Sequence, residues 1–110
     1  MENVIYKYSI NDKDCPEINT IGIGESFEIE MIKGAKILCV REQPEINEQG
    51  KLQVIGRVWA LVNPAETETE KRYFRLIGTG EKFEDGNLKY IGTYQVYNGS
   101  IILHLFECIG

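Results

Sequence analysis

The sequence predicts an all-β domain: an antiparallel β-sandwich or partly closed barrel of about seven strands, with at most one or two helical turns. Three observations lead there. Val, Ile, Tyr, Phe, Thr and Trp are plentiful and glycine reaches 11, a strand-and-turn composition. Short runs of two-residue alternation recur along the chain. Turn signals such as Lys33-Gly34, Asp85-Gly86 and Asn98-Gly99 punctuate those runs. At 110 residues the chain is expected to form one domain, 1–110, long enough to bury a core unaided.

The organising run is Leu52–Asn63, LQVIGRVWALVN, which holds the only tryptophan. Its even positions, from Leu52 to Val62, are apolar and small, and predict the core face. Its odd positions, Gln53, Ile55, Arg57, Trp59, Leu61 and Asn63, predict either a second packed layer or the floor of a site.

The remaining strands follow in order. Val4–Ile10 alternates Val4, Tyr6, Tyr8 and Ile10 against Ile5, Lys7 and Ser9. Asn11–Gly24 has no sustained period and predicts a long loop. Glu25–Met31 sets Phe27, Ile29 and Met31 opposite Glu28 and Glu30. After the Lys33-Gly34 turn, Ala35–Gln43 is a strand, and Pro44–Lys51 a polar loop. Asn63-Pro64-Ala65-Glu66 has the chemistry of a capping box and predicts one helical turn to about Glu70, an acidic loop being the alternative. Lys71–Gly78, Leu88–Tyr97 and Ser100–Cys108 complete the strands, the last two joined by Asn98-Gly99 as a hairpin.

Charge and motifs narrow the function. A net charge of −5 lacks the basic footprint of non-specific nucleic-acid binding. No apolar run approaches membrane-spanning length, and the N-terminus has no signal-sequence pattern, so a cytoplasmic protein without membrane association is expected. Cys15, Cys39 and Cys108 are odd in number and lack CxxC spacing, which predicts reduced thiols rather than a disulfide framework or zinc site. His104 is the only histidine, and no serine or cysteine sits in a nucleophile context around it. Gly78-Thr79-Gly80 lacks the full pattern of a phosphate loop and predicts a glycine turn. The expectation is of a non-enzymatic protein with no catalytic residue, metal or cofactor.

One constellation stands out. Arg57, Trp59, Tyr73, Arg75 and His104 each fall on the less apolar register of a strand. If Leu52–Asn63 and Lys71–Gly78 pair as a hairpin, Arg57 and Trp59 come to face Arg75 and Tyr73. Cation and ring surface so combined can hold a nucleotide-like anion. The structural alternative is that both arginines lie over rings and pair with carboxylates.

Read together, several segments resemble a family of small uncharacterised domains of phages and prophages. They are Ile5-Tyr6-Lys7-Tyr8, Lys33-Gly34-Ala35 with Ile37-Leu38 and Val40, and Trp59-Ala60-Leu61-Val62-Asn63-Pro64. Phe74-Arg75, Ile77-Gly78-Thr79-Gly80, Tyr90-Ile91-Gly92-Thr93 with Gln95, and His104 with Phe106-Glu107 follow in order. The chain departs from that pattern in its long Asn11–Gly24 insertion and in Ile32, where proline is expected. The resemblance implies a phage or bacterial cytoplasmic setting and brings no activity with it.

The leading expectation is a binding or interaction module for a host or phage protein, or one that self-associates as a homo-oligomer through a sheet face or edge. The runner-up is a protein that sequesters an anionic, nucleotide-like small molecule through Arg57, Trp59, Tyr73, Arg75 and His104.

Overall fold

Strand-forming alternation turns into seven antiparallel strands in a computed structural model of the protein, which describes residues 2–10, 26–84, 86–96 and 101–109. They are β1 (Val4–Ser9), β2 (Ser26–Ile32), β3 (Lys36–Ile46), β4 (Leu52–Val62), β5 (Thr69–Gly78), β6 (Leu88–Val96) and β7 (Ile101–Cys108). β1, β4 and β3 form a three-stranded sheet in that order, and β2, β5, β7 and β6 a four-stranded one. The two sheets pack face to face, so the predicted all-β sandwich is the architecture observed.

The core lies between the inward registers. Val58, Ala60 and Val62 of β4 meet Phe74 and Leu76 of β5, Leu103 and Leu105 of β7, and Met31 of β2. All are essentially inaccessible to solvent, so each side chain contributes roughly 1.5–3 kcal/mol of burial for a residue of leucine size. The apolar face of the organising run is therefore core, as its alternation predicts, from Val58 onward. Leu52, on the same register, is exposed because the strand extends past its cover.

Two tight approaches explain two glycines. A Cβ on Gly92 of β6 would lie 2.9 Å from Val40 Cγ1 of β3, where the edges of the two sheets meet. A Cβ on Gly56 would lie 3.0 Å from both Ile10 Cδ1 and the Tyr94 ring, which fill the space under β4.

Three local expectations are corrected. β3 runs on to Ile46 instead of stopping at Gln43. Among the described residues it is an edge strand, paired only with β4, so Pro44 can sit in it without breaking a ladder. The turn then falls on Asn47, whose Oδ1 accepts from the N–H groups of Gln49 and Lys51 at 3.0 and 2.9 Å. Asn63-Pro64-Ala65-Glu66 forms a turn and not a helix. Asn63 Oδ1 accepts from Ala65 N–H, the Asn63 carbonyl accepts from Glu66 N–H, and β5 begins at Thr69 before a helix can propagate. Finally, β4 and β5 do not pair. β4 lies between β1 and β3, and β5 between β2 and β7. The connection 63–68 crosses from one sheet to the other, like the Lys33-Gly34 turn beside it. The two crossovers are tied by Lys33 N–H to the Glu68 carbonyl and Gly34 N–H to Glu70 Oε2, at 2.9 and 2.8 Å.

The Lys33-Gly34 turn is as expected, with Gly34 at φ 82°. β6 and β7 pair antiparallel out to Val96 and Ile101, while the Asn98-Gly99 turn and the Asn11–Gly24 loop lie outside the described residues.

Candidate functional site

Because β4 and β5 belong to different sheets, the five residues expected to converge are divided. Arg57 and Trp59 point outward from the three-stranded sheet. Tyr73, Arg75 and His104 point outward from the four-stranded sheet, on the opposite side of the molecule. The arginine pair that was to hold an anion does not form.

On the first face Arg57 is consumed by its own neighbours. Its guanidinium donates to Ser9 Oγ on β1, and to Gln43 Oε1 and Glu45 Oε1 on β3, with the Glu45 contact an ion pair. The ladder registers place Ser9 directly across from Arg57 and set Gln43 two residues along β3 from its opposite number, Arg41. Trp59 lies between Lys7 and Cys39 in the same sheet, with Lys7 Nζ 5.9 Å from its ring centroid. This is the structural alternative for Arg57: a cation paired with a carboxylate and closing its own sheet.

The second face is different. β5 contributes Tyr73, Arg75 and Ile77, β7 contributes Ile102, His104, Phe106 and Cys108, and β6 contributes Tyr90, Thr93 and Gln95. Phe83, from the connection 79–87, packs on Phe106 with centroids 5.2 Å apart, and Tyr90 meets the same ring at 5.5 Å. Both contacts are steeply tilted, at 54° and 62°. The rings therefore build a clustered apolar surface, not a set of coplanar plates on which flat ligands stack. Tyr90 stays 55% exposed and Tyr73 48%.

His104 organises the polar part of this face. Its Nε2 bonds Thr79 Oγ1 and its Nδ1 bonds Thr93 Oγ1, both at 2.9 Å, and Thr93 Oγ1 in turn bonds Tyr90 OH at 2.6 Å. Both ring nitrogens are thus hydrogen-bonded. The chain Thr79–His104–Thr93–Tyr90 runs from the turn after β5 across β7 to β6 and holds the exposed Tyr90 ring in place. Arg75 sits opposite Phe106 in the ladder, close enough to Cys108 to act on its thiol. Burial pushes that thiol up from its ordinary value, and the Arg75 charge pulls it partly back.

Gly78-Thr79-Gly80 is the expected turn. The Gly78 N–H that a phosphate would need is taken by Glu81 Oε1 at 3.1 Å, and Gly80 adopts φ 87°. A shallow cleft of about 270 Å³ runs between the edges of β3 and β6, lined by Cys39, Arg41, Glu42, Gly92 and Gln95 among others. Glu42 reaches across it to the Gln95 N–H at 3.3 Å, which sets a negative charge where an anionic ligand would enter.

Phe83, Tyr90, Thr93 and Phe106 are not among the site residues expected from the sequence, although the last three fall in segments that carry the family resemblance. Tyr90, Thr93 and Phe106 lie on outward registers, so alternation places them on a surface. Nothing local says that it is the surface shared with Tyr73.

These features define a small antiparallel sandwich with a packed core and one aromatic outer face. The chain belongs to the family described as a domain of unknown function, DUF7352, whose model matches residues 1–109. No curated protein and no solved structure matches the chain.

Proposed function

We propose that the protein is a non-enzymatic interaction module that docks a host or phage protein on the outer face of its four-stranded sheet, acting in the bacterial cytoplasm as a phage or prophage product. The observation that carries this reading is the aromatic cluster of Phe83, Tyr90 and Phe106, with Tyr73 exposed on the same face of the sheet. Four aromatic side chains on one outer sheet face are a feature of binding surfaces, where aromatic rings supply large contact area at small entropic cost. The setting rests on the resemblance to phage domains. Two further points support binding over catalysis. Both ring nitrogens of His104 are held by threonine hydroxyls, and the arginine expected to act with Arg75 is spent on Glu45.

The test is native mass spectrometry of the tagged protein recovered from host lysate, wild type beside Tyr90→Ser and Trp59→Phe. The expected result is a protein-sized partner retained by wild type and by Trp59→Phe and lost from Tyr90→Ser. A retained mass of nucleotide size would replace this reading with the small-molecule one. A partner indifferent to Tyr90→Ser would overturn the assignment of the face.

A further inference from the structure

A sandwich of two open sheets has four edge strands, and each presents unpaired backbone groups that invite another strand. Three of the four are blunted here. The phase of the β3 ladder follows from Asn47 N–H, which donates to the Lys51 carbonyl at 2.8 Å. From Cys39 onward odd residues of β3 bond to β4 and even ones face outward, so Pro44 removes a donor from the outer edge, and a bulge between Ile37 and Cys39 twists it further. On β6, the outward N–H of Gln95 is taken by Glu42, and a bulge falls between Tyr90 and Gly92. On β2, the outward N–H of Ile32 donates to Tyr8 OH at 3.2 Å, and the exposed carboxylates of Glu28 and Glu30 flank the rest.

Among the described residues β1 has no such device. Its register with β4 is unbroken from Val4 to Ser9, it contains no proline, and among the described residues β4 is its only ladder partner. Lys7 does not guard the edge, because its Nζ is drawn back over Trp59 and to Gln43 Oε1 at 3.3 Å. The side chains are apolar on both faces yet open to solvent: Val4 is 37% exposed, Ile5 59% and Tyr6 42%. Ile10 N–H donates to the Gly56 carbonyl at 2.9 Å, one pair beyond the strand, which sets its phase. Val4, Tyr6 and Tyr8 therefore bond to β4, while Ile5, Lys7 and Ser9 turn their N–H and C=O groups to the outer edge.

We propose that β1 pairs with β1 of a second copy, antiparallel about a two-fold axis through Tyr6, joining two three-stranded sheets into one of six. The self-complementarity of the strand selects this register. An axis perpendicular to the sheet keeps outward residues opposite outward residues, so each residue meets one of its own parity. Centring on Lys7 would set Lys7 against the partner's Lys7, like charges directly opposed. Centring on Ile5 overlaps only Val4 to Tyr6. Centring on Tyr6 overlaps Val4 to Tyr8 and sets Ile5 opposite the partner's Lys7 and Val4 opposite the partner's Tyr8. Ile5 and the partner's Lys7 then exchange both their backbone hydrogen bonds, and Tyr6 meets its counterpart as a non-hydrogen-bonded pair. The exposed Val4 and Tyr6 side chains are covered in the same step. β1 lies in the other sheet from the aromatic face, so this pairing is independent of the docking proposed above.

The experiment is sedimentation velocity over a concentration series, with far-UV circular dichroism as the control for folding. Wild type should show a weak monomer–dimer equilibrium. Ile5→Pro removes a donor that only the outer edge uses, and should be monomeric with its melting unchanged. Two side-chain variants leave the backbone intact: Ile5→Lys, which faces the partner's Lys7, should weaken the dimer about tenfold, and Ile5→Glu should tighten it. Under mild oxidation Tyr6→Cys should form a covalent dimer where Ile5→Cys and wild type do not, since non-hydrogen-bonded antiparallel pairs bring Cα atoms to about 4.5 Å. A wild type that stays monomeric throughout the series overturns the proposal. So does a dimer that survives Ile5→Pro, or one that responds to Tyr90→Ser instead of to the Ile5 variants.

Discussion

Arg72 and Glu107 lock end to end, Nε to Oε2 at 2.7 Å and Nη2 to Oε1 at 2.9 Å, on the inward face of the four-stranded sheet. The remaining guanidinium nitrogen donates to the Ala35 carbonyl at the start of β3. The pair thus closes one end of the core and ties a crossover to it. The Glu107 hydrogen bond, foremost among the causes, raises the Arg72 pKa further above its ordinary value, so the guanidinium stays charged at any working pH.

Removing one partner should be costly and removing both should not. Arg72→Met leaves the Glu107 carboxylate, itself 9% exposed, without its counter-charge, and is expected to destabilise by about 3 kcal/mol. Arg72→Met with Glu107→Leu should recover most of that loss, because two apolar side chains fit the end of an apolar core. Urea denaturation of both single variants and the double one measures this. A double variant no more stable than Arg72→Met would show that the fork is not what holds this corner.

Tyr94 predicts an alkaline limb. Its ring is buried under Gly56, and burial, with the nearby Glu42 charge a lesser cause, holds its hydroxyl well above the ordinary value of 10.0. The folded state keeps this proton when the unfolded chain has released it. Stability contributed by the group is full below pH 10.0 and falls as pH rises above it, by about 1.4 kcal/mol per pH unit. Tyr94→Phe should flatten the fall of melting temperature measured above that pH. An unchanged slope would assign the alkaline limb to other groups.

Gly92 should tolerate no Cβ while Val40 faces it. Gly92→Ala forces the edges of β6 and β3 apart and is expected to cost about 1–3 kcal/mol, as overpacking does. Val40→Ala creates a cavity of its own. The double variant should therefore be less destabilised than the sum of the two, which a double-mutant cycle of thermal melts reads directly. Additive losses would mean that the two strands do not meet at this point.

Cys108 should alkylate slowly. Burial holds its thiol above the ordinary value, so little thiolate is present at neutral pH, and Arg75 lowers the pKa against that trend. Arg75→Ala should slow reaction with iodoacetamide at Cys108 further, followed by peptide mass spectrometry, without changing the rate at Cys39. Cys39 points out from the other sheet. A faster reaction at Cys108 in Arg75→Ala would show that the arginine acts mainly as a steric cover.

What the sequence determined by itself was which way each residue faces. Alternation with a period of two places Val58, Ala60 and Val62 on one side of β4 and Arg57 and Trp59 on the other, whichever strands lie beside it. Turn chemistry determined where strands stop when the signal was a glycine at positive φ, as at Gly34. Pro44 carried the opposite lesson. A proline ends a central strand but not an edge strand, and being an edge is a property of the assembled sheet. Apart from β6 and β7, whose pairing Asn98-Gly99 predicts, tertiary structure alone decided which strands are neighbours. Backbone hydrogen bonds are the same for every pairing, so nothing in Leu52–Asn63 or Lys71–Gly78 says that the short link between them crosses from one sheet to the other. That crossing sends Arg57 to Glu45 and Arg75 to the face of Phe106, and it brings Arg72 to Glu107 across 35 positions of chain. The aromatic face and the outer edge of β1, unpaired among the described residues, are products of that assembly, visible only once the other strands have taken their partners.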